Sequence, residues 1–449
     1  MSTHSQPRRS APRDAGVTTG GFLRAWRELL GSTSLPTVPR RRGRKPRVPL
    51  NDLLAALTYH VVQGTGTLAQ HFTQLFGTTL ADSSWSDRRQ RLPWEGFAEL
   101  MERVLRPRAT PREAAAFWRG WRLVALDGTQ FSLTNTAQVR AVRSKTRSRR
   151  GRAAFAKMTA VVLLELGLHN PLAAAIGRAR ESEWALAPQL LARLPRRALL
   201  LGDRLYGCAA FAAQARVACH RVGSHFLFRA RMLIKPQVRR RLRDGSRLIR
   251  VPVRDPQHPS RVVDTLDVRE IRVRVGRPGH RGRTLRLWTS LLDPRTAPAL
   301  DLAHLYAQRW EHELYFRDVK RQLRKTAVLH SHTVETGAQE IAAVVLASAV
   351  LAAERAATAG DHLATLRISF PKLLQVVQAM WFTVAFGDGI LTERQMQTMM
   401  KRGYAHLRQC RTPARRSRTC PRKVRQPVTR WPRLMRNESI EGPFHLEIL

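Results

Sequence analysis

The stretch YAQRWEHELYFRDVK, residues 306–320, decides how this chain is read. Wound as an α-helix, it places Tyr306, Arg309, Glu313 and Lys320 at about 0°, −60°, −20° and −40° around the axis. A phenol, a guanidinium, a carboxylate and an amine then share one narrow stripe. Such a stripe suits a helix laid along a phosphate backbone, with the carboxylate free to hold a metal ion beside a phosphate. Glu311 and Asp318 fall about 160° and 140° away from Glu313 and belong to another face. A solvated amphipathic helix with incidental charges has the same composition, so the spacing has to separate the two readings.

Tyr-x2-Arg-x3-Glu-x6-Lys is the signature of the fourth insertion-sequence family of DDE transposases, and the segment resembles that family at all four positions. The resemblance implies two aspartates upstream, each at the end of a buried strand. The apolar run LVAL, residues 123–126, stops at Asp127-Gly128-Thr129, and ALLL, residues 198–201, stops at Gly202-Asp203. A carboxylate at the carboxyl end of a buried strand is where an α/β sheet puts reactive groups, although Asp-Gly also makes turns. Asp203-Arg204-Leu205-Tyr206 resembles the Asp-Arg-x-Tyr that the family carries around its second carboxylate. The resemblance covers roughly residues 50–353.

Charge points to the same class of partner. The 449 residues hold 78 Lys+Arg against 33 Asp+Glu, a formal charge of +45, and such self-repulsion is relieved by a polyanion, foremost nucleic acid. The first twenty residues lack the apolar run of a signal peptide. The longest apolar stretch, residues 341–353, is short of the roughly 20 residues that cross a bilayer and reads as a buried helix. Cys208, Cys219, Cys410 and Cys420 lack the close spacing of a structural zinc site and are expected as free thiols. A cytoplasmic, nucleoid-associated protein is expected.

The fold expected is α/β: a ribonuclease H-like mixed sheet with flanking helices, an all-β insertion before Glu313 and an α-helical N-terminal domain. Residues 1–48 read as a disordered basic arm with one short helix. Within it Arg42-Gly43-Arg44 resembles the core of an AT-hook, and Lys45 departs from that pattern, leaving a plain phosphate-binding arm as the other reading. Residues 49–115 read as three helices split by glycine turns. They are either a helix-turn-helix-like DNA reader presenting Arg88 and Arg91, or a bundle that supports the next domain. The catalytic core is expected over residues 116–230 and 299–400, the β-rich insertion over 231–298 and a flexible basic tail over 401–449. In the insertion the family has a base-stacking tryptophan four residues before a Thr-Ser pair. Here Leu285 holds that place, and Trp288, directly before Thr289-Ser290, is either the stacking residue or a packed core tryptophan.

The resemblance implies cut-and-paste transposition of an insertion sequence through a DNA hairpin, by an Asp127, Asp203, Glu313 triad holding two Mg²⁺ ions, or Mn²⁺ in their place. Oxygen ligands with open positions suit these ions, and two of them can serve both sides of an in-line displacement at phosphorus. Tyr306, Arg309, Lys320, Arg204 and Tyr206 would contact the DNA. Synapsis of two element ends would take a dimer on double-stranded DNA. An inactive DNA-binding remnant and a ribonuclease H-like nuclease without strand transfer are the competing readings.

Overall fold

Along the central strands successive side chains enter two different cores, and this alternation is what places a sheet between two helical layers. The computed structural model describes residues 21–33 and 48–413, apart from residues 80, 144, 146, 149–150, 233, 256, 259, 276–282, 362 and 388. In β1 (Trp121–Ser132), Leu123 and Ala125 enter one core while Val124 and Leu126 enter the other. The same alternation runs through β2 (Lys157–Glu165), with Val162 and Leu164 on one side and Val161 and Leu163 on the other. A strand buried on both faces has no polar face to show, which is why these segments are continuous apolar runs.

β2 pairs antiparallel with β1 and with β3 (Asn170–Ile176). β4 (Ala198–Gly207) lies parallel to β1, and β5 (His225–Ala230) parallel to β4. The first and fourth strands are therefore neighbours. The sheet continues through β6 (Gln237–Arg241), β7 (Arg247–Arg254), β8 (Val262–Val275) and β9 (Arg283–Thr289), an antiparallel meander joined edge-on by the pairing of β9 with β5. The order is β3-β2-β1-β4-β5-β9-β8-β7-β6, ten strands in all with the short Phe117–Trp118 beside β1. The strands of the expected insertion thus extend the sheet that carries the two aspartates.

Helices α1 (Gly21–Leu30), α2 (Leu50–Gln63), α3 (Leu68–Phe76), α4 (Asp82–Arg91) and α5 (Trp94–Val104) precede the sheet, and α6 (Ala137–Val142) follows β1. α7 (Glu183–Leu190) and α8 (Ala209–Arg221) cover one face, sharing a core with Val124, Leu200 and Phe228. The other face is covered by α9 (Ala299–Leu305), α10 (Trp310–Asp318), α11 (Val334–Ala359) and α12 (Phe370–Gly387), in one core with α1, α2 and α5. α13 (Glu393–Gln409) packs on α11 and α12. Phe22, Tyr59 and Trp381 join α1, α2 and α12, with ring centroids 5.0 and 5.4 Å from Phe22.

Two expectations are corrected. β1 continues to Ser132 and β4 to Gly207, past the aspartates, because β1 stays paired with β2 after its ladder with β4 has ended and β4 pairs with β5 again at Gly207 and Ala230. Residues 401–409 are the last turns of α13 and not part of a tail; a capping box at Thr392 and Gln395 starts this helix. α11, at 26 residues, is long and apolar enough to cross a membrane, but 83% of its most apolar window is buried inside the protein. It is a core helix, started by a capping box between Thr333 and Thr336. Among the described residues Cys208, Cys219 and Cys410 are free. Arg42, Arg44 and residues 414–449 lie outside the described residues.

Because α11 is shared by the N-terminal helices and the sheet, Leu346→Ala, at a fully buried position, should destabilise both together. The cost should be roughly 2–5 kcal/mol. Urea unfolding followed by tryptophan fluorescence and by far-ultraviolet circular dichroism should give coincident transitions shifted by the same amount; two separated transitions would show that the two parts unfold independently.

Candidate active site

The parallel ladder between β1 and β4 ends at the pair Leu126 and Gly202. The next residue in each strand is an aspartate, so Asp127 and Asp203 leave the ladder side by side. Asp127 accepts from its neighbour's backbone, Gly128 N–H to Oδ1, at 2.9 Å, and Asp203 Oδ1 accepts from Leu205 N–H at 2.6 Å. Burial pushes the Asp127 carboxyl up to about 7; Arg309 opposes the shift, while the charges of Glu183 and Asp203 add to it. Like charges close together in a half-buried site disfavour ionisation of each member.

The stretch that follows the insertion is not one uniform helix. Tyr306–Arg309 is a 3₁₀ turn, α10 is α-helical, and Val319–Leu323 is a π turn. A 3₁₀ turn advances more, and a π turn less, per residue than an α-helix, so the single stripe drawn at 3.6 residues per turn is redistributed. Tyr306 is buried, and its hydroxyl donates to Gly202 O at 3.2 Å, pinning the segment to the residue before Asp203. Arg309 reaches both carboxylates beyond it: Nη1 lies 3.4 Å from Asp127 Oδ2 and Nη2 2.5 Å from Glu313 Oε1. Although burial works against it, the Glu313 hydrogen bond and the charges of Tyr306, Asp127 and Glu313 hold Arg309 above its ordinary value.

Glu311 and Asp318 are turned elsewhere, as their helical angles require: Glu311 lies 3.1 Å from His169 Nε2, and Asp318 is buried beside Arg317. Lys320 donates to Gln130 O at 2.9 Å and lies 5.2 Å from the centre of the Phe131 ring. Burial lowers its amine to about 8, with help from the charges of Arg324 and Lys157. The structure therefore links Asp127, Arg309 and Glu313 by direct contacts and holds Tyr306 on Gly202, the residue before Asp203, with Lys320 a few residues along β1 from Asp127.

Two candidates cannot act as expected from where they stand. Trp288 is fully buried, its indole N–H donates to Glu270 at 3.3 Å, and no ring face is left for a base. Position 288 of β9 pairs with Phe228 in mid-sheet, so its side chain belongs to the core. Tyr206 is also fully buried, packed on Phe211 at 4.9 Å, with its hydroxyl donating to Glu183 Oε1 at 2.7 Å. Alternation along β4 carries it to the face under α7, opposite the face that carries Tyr306 and α10. Arg204, two residues before Tyr206, is exposed. On α4, Arg91 is exposed and Arg88 half-buried, while the intervening Arg89 ties α4 to the start of α11 through Ser331, Thr336 and Gln339.

Sequence reasoning missed Glu183. It follows Ser182, whose side chain caps α7 by accepting from Ala185 N–H. An acid in the first turn of a capped helix is ordinary, so nothing in the sequence singles it out. In the folded chain its carboxyl lies over Gly128, where an added Cβ would collide with it. Burial raises the Glu183 carboxyl, the Tyr206 hydroxyl opposes that shift, and Asp203 adds to it.

Asp127, Asp203, Glu183 and Glu313 offer oxygen donors alone, the chemistry that hard divalent cations take. Among the described residues no three acidic, histidine or cysteine side chains converge closely enough to hold an ion as they stand; Arg309 lies between Asp127 and Glu313.

All of these positions fall inside residues 118–349, which match a family model described as a transposase DDE domain. The chain is 26% identical over 360 residues to the transposase InsG for insertion sequence element IS4 of Escherichia coli K12, covering 79% of this chain and 78% of that protein. It is 31% identical over 128 residues to the putative transposase InsZ of the same organism, covering 28% of this chain and 43% of that one. Among solved structures it resembles the piggyBac transposase in a synaptic complex with hairpin DNA, with a TM-score of 0.41 and 10% identity over 86% of this chain and 81% of that one. The match to the domain spans more than half of the sequence, and the chain belongs to the DDE transposases, as a DNA transposase of the IS4 family.

Proposed function

We propose that this transposase excises and reinserts the insertion sequence that encodes it, with Asp127, Asp203 and Glu313 as its catalytic carboxylates. One observation carries the reading: where the β1–β4 ladder stops, two aspartates stand side by side, and Arg309 links the first of them to Glu313. Strand order and direction from β3 to β5, antiparallel then parallel, support a ribonuclease H-like core. The helices before the sheet, with Arg91 exposed and Arg88 half-buried on α4, are read as the part that binds terminal inverted repeats.

Every step is a phosphoryl transfer on DNA, in which an oxygen nucleophile attacks in line and a strand oxygen leaves. Two Mg²⁺ ions, or Mn²⁺ in their place, supply the acidified nucleophile and offset charge on the leaving oxygen. Asp127, Asp203 and Glu313 would hold these ions. Arg309 neutralises two of these carboxylates; once they are engaged by cations, its planar fork is free for a phosphate flanking the scissile bond. Tyr306 acts by position, holding the Glu313 segment against Gly202. Lys320, with no carboxylate among its contacts, offers its charge to the next phosphate along. In the order implied by the family resemblance, water first nicks the element end. The freed 3′-hydroxyl attacks the opposite strand to form a hairpin, water reopens it, and the 3′-end joins target DNA. Holding two element ends at once requires a dimer on DNA.

Cleavage of DNA bearing the element's own ends should require Mg²⁺ or Mn²⁺ and stop with EDTA. Asp127→Asn, Asp203→Asn and Glu313→Gln should each lower nicking by at least about 100-fold while retaining DNA retardation in gels. Equal nicking by wild type and all three variants would remove the catalytic assignment. Lys320→Met should weaken DNA binding across sequences and reduce the log–log salt slope by about 1. An unchanged slope in fluorescence-anisotropy titrations from low to high salt would place Lys320 off the phosphates.

A further inference from the structure

Glu183 reaches the site from the opposite side of the sheet to Glu313, and three features of the chain hold it there. Ser182 starts α7 so that the glutamate lies in its first turn, aimed back at the end of the β1–β4 ladder. Gly128, directly after Asp127, leaves open the space that the Glu183 carboxyl fills. Tyr206, three residues after Asp203 and wholly buried, donates its hydroxyl to Glu183 Oε1 at 2.7 Å. The neighbours of both aspartates, Gly128 and Tyr206, are thus shaped around this one side chain.

The arrangement is costly without a cation. Glu183 sets a negative charge over Gly128, the residue after Asp127, and the nearby guanidinium of Arg309 is taken up by Asp127 and Glu313. A residue kept for packing or for the Tyr206 hydrogen bond alone would be served by glutamine, which has the same shape and the same acceptor oxygen. A negative charge held against two others gains its rationale when a divalent ion offsets all three.

We propose that Glu183 is a fourth carboxylate of the site, held by Tyr206 over Gly128 to share with Asp127 and Asp203 in binding a divalent cation. The inference rests on the triad reading above. It gives Tyr206 of the Asp-Arg-x-Tyr segment a positioning role in place of contact with DNA. It also accounts for a glycine at position 128, where a side chain would displace the carboxyl.

The test uses the intact chain without DNA and Mn²⁺ as probe, with affinity read by electron paramagnetic resonance of free Mn²⁺ and thermal melting recorded in EDTA. Glu183→Gln should bind Mn²⁺ roughly tenfold or more weakly. It should melt in EDTA no lower than wild type, since it keeps the Tyr206 contact and removes a like charge. Glu183→Asp should recover part of the affinity. Gly128→Ala, which retains the glutamate but fills its space, should weaken Mn²⁺ binding in the same direction, and it decides the matter if Glu183→Gln melts early. Wild-type Mn²⁺ affinity in Glu183→Gln, or in Gly128→Ala should that variant have to decide, overturns the proposal. Asp127→Asn separates the two levels. If it loses Mn²⁺ while Glu183→Gln does not, the triad stands without Glu183; if neither loses it, the triad reading falls as well.

Discussion

The parallel pairing of β1 with β4 stops at Leu126 and Gly202, and most of the site's geometry depends on that stop. Parallel neighbours in register present equivalent positions at the same level, so the residues that follow, Asp127 and Asp203, emerge together. β1 is held in place beyond this point by β2, through pairs running from Asp127 and Val162 to Ser132 and Lys157. Asp127 therefore stands on a strand still paired with β2, and Asp203 in the stretch of β4 before it pairs with β5 again at Gly207. Gly202 also accepts the Tyr306 hydroxyl, so the residue that ends the ladder anchors the segment that delivers Glu313. Backbone pairing alone fixes two carboxylates, and one phenol brings the third.

Electrostatics at two scales act in opposite directions. The whole chain carries a formal charge of +45, a field that draws DNA towards it over roughly a Debye length, about 10 Å at 0.1 M salt. Near the end of the β1–β4 ladder stand Asp127, Asp203 and Glu183, with Glu313 held on the far side of Arg309, and this local excess of negative charge repels a phosphate. Surface charge can bring DNA to the protein, but a scissile phosphate enters the acidic pocket on favourable terms once cations have reversed its sign. In this account dependence on divalent metal follows from the count of charges and from the chemistry alike.

The sheet and its two aspartates were legible because their signals are local: four apolar residues in a row and then a carboxylate, directly at Asp127 and after one glycine at Asp203. The signature spacing around Glu313 was legible for the same reason, and it located Arg309 correctly beside that glutamate. What could not be read were features set by the tertiary structure. The π turn at Val319–Leu323 has no marker in the sequence, and it moves Lys320 off the ideal stripe onto Gln130 and Phe131. Trp288 and Tyr206 have the residue types that touch nucleic acid, yet strand alternation turned both into the core. The reach of β1 to Ser132 depended on β2, a partner some thirty residues away. Glu183 looked like a routine first-turn acid, and its meaning came from the space above Gly128 and the buried hydroxyl of Tyr206.

The central claim is that one metal centre lies among segments far apart in the chain. It is tested most directly by loading the protein with Fe²⁺ in place of Mg²⁺, adding ascorbate and peroxide, and mapping where hydroxyl radicals cut the polypeptide. The account predicts cuts clustered near residues 127, 203 and 313, suppressed together by excess Mg²⁺ and absent in Asp127→Asn. Cuts confined to one of these segments, or clustered elsewhere and indifferent to Asp127, would contradict it.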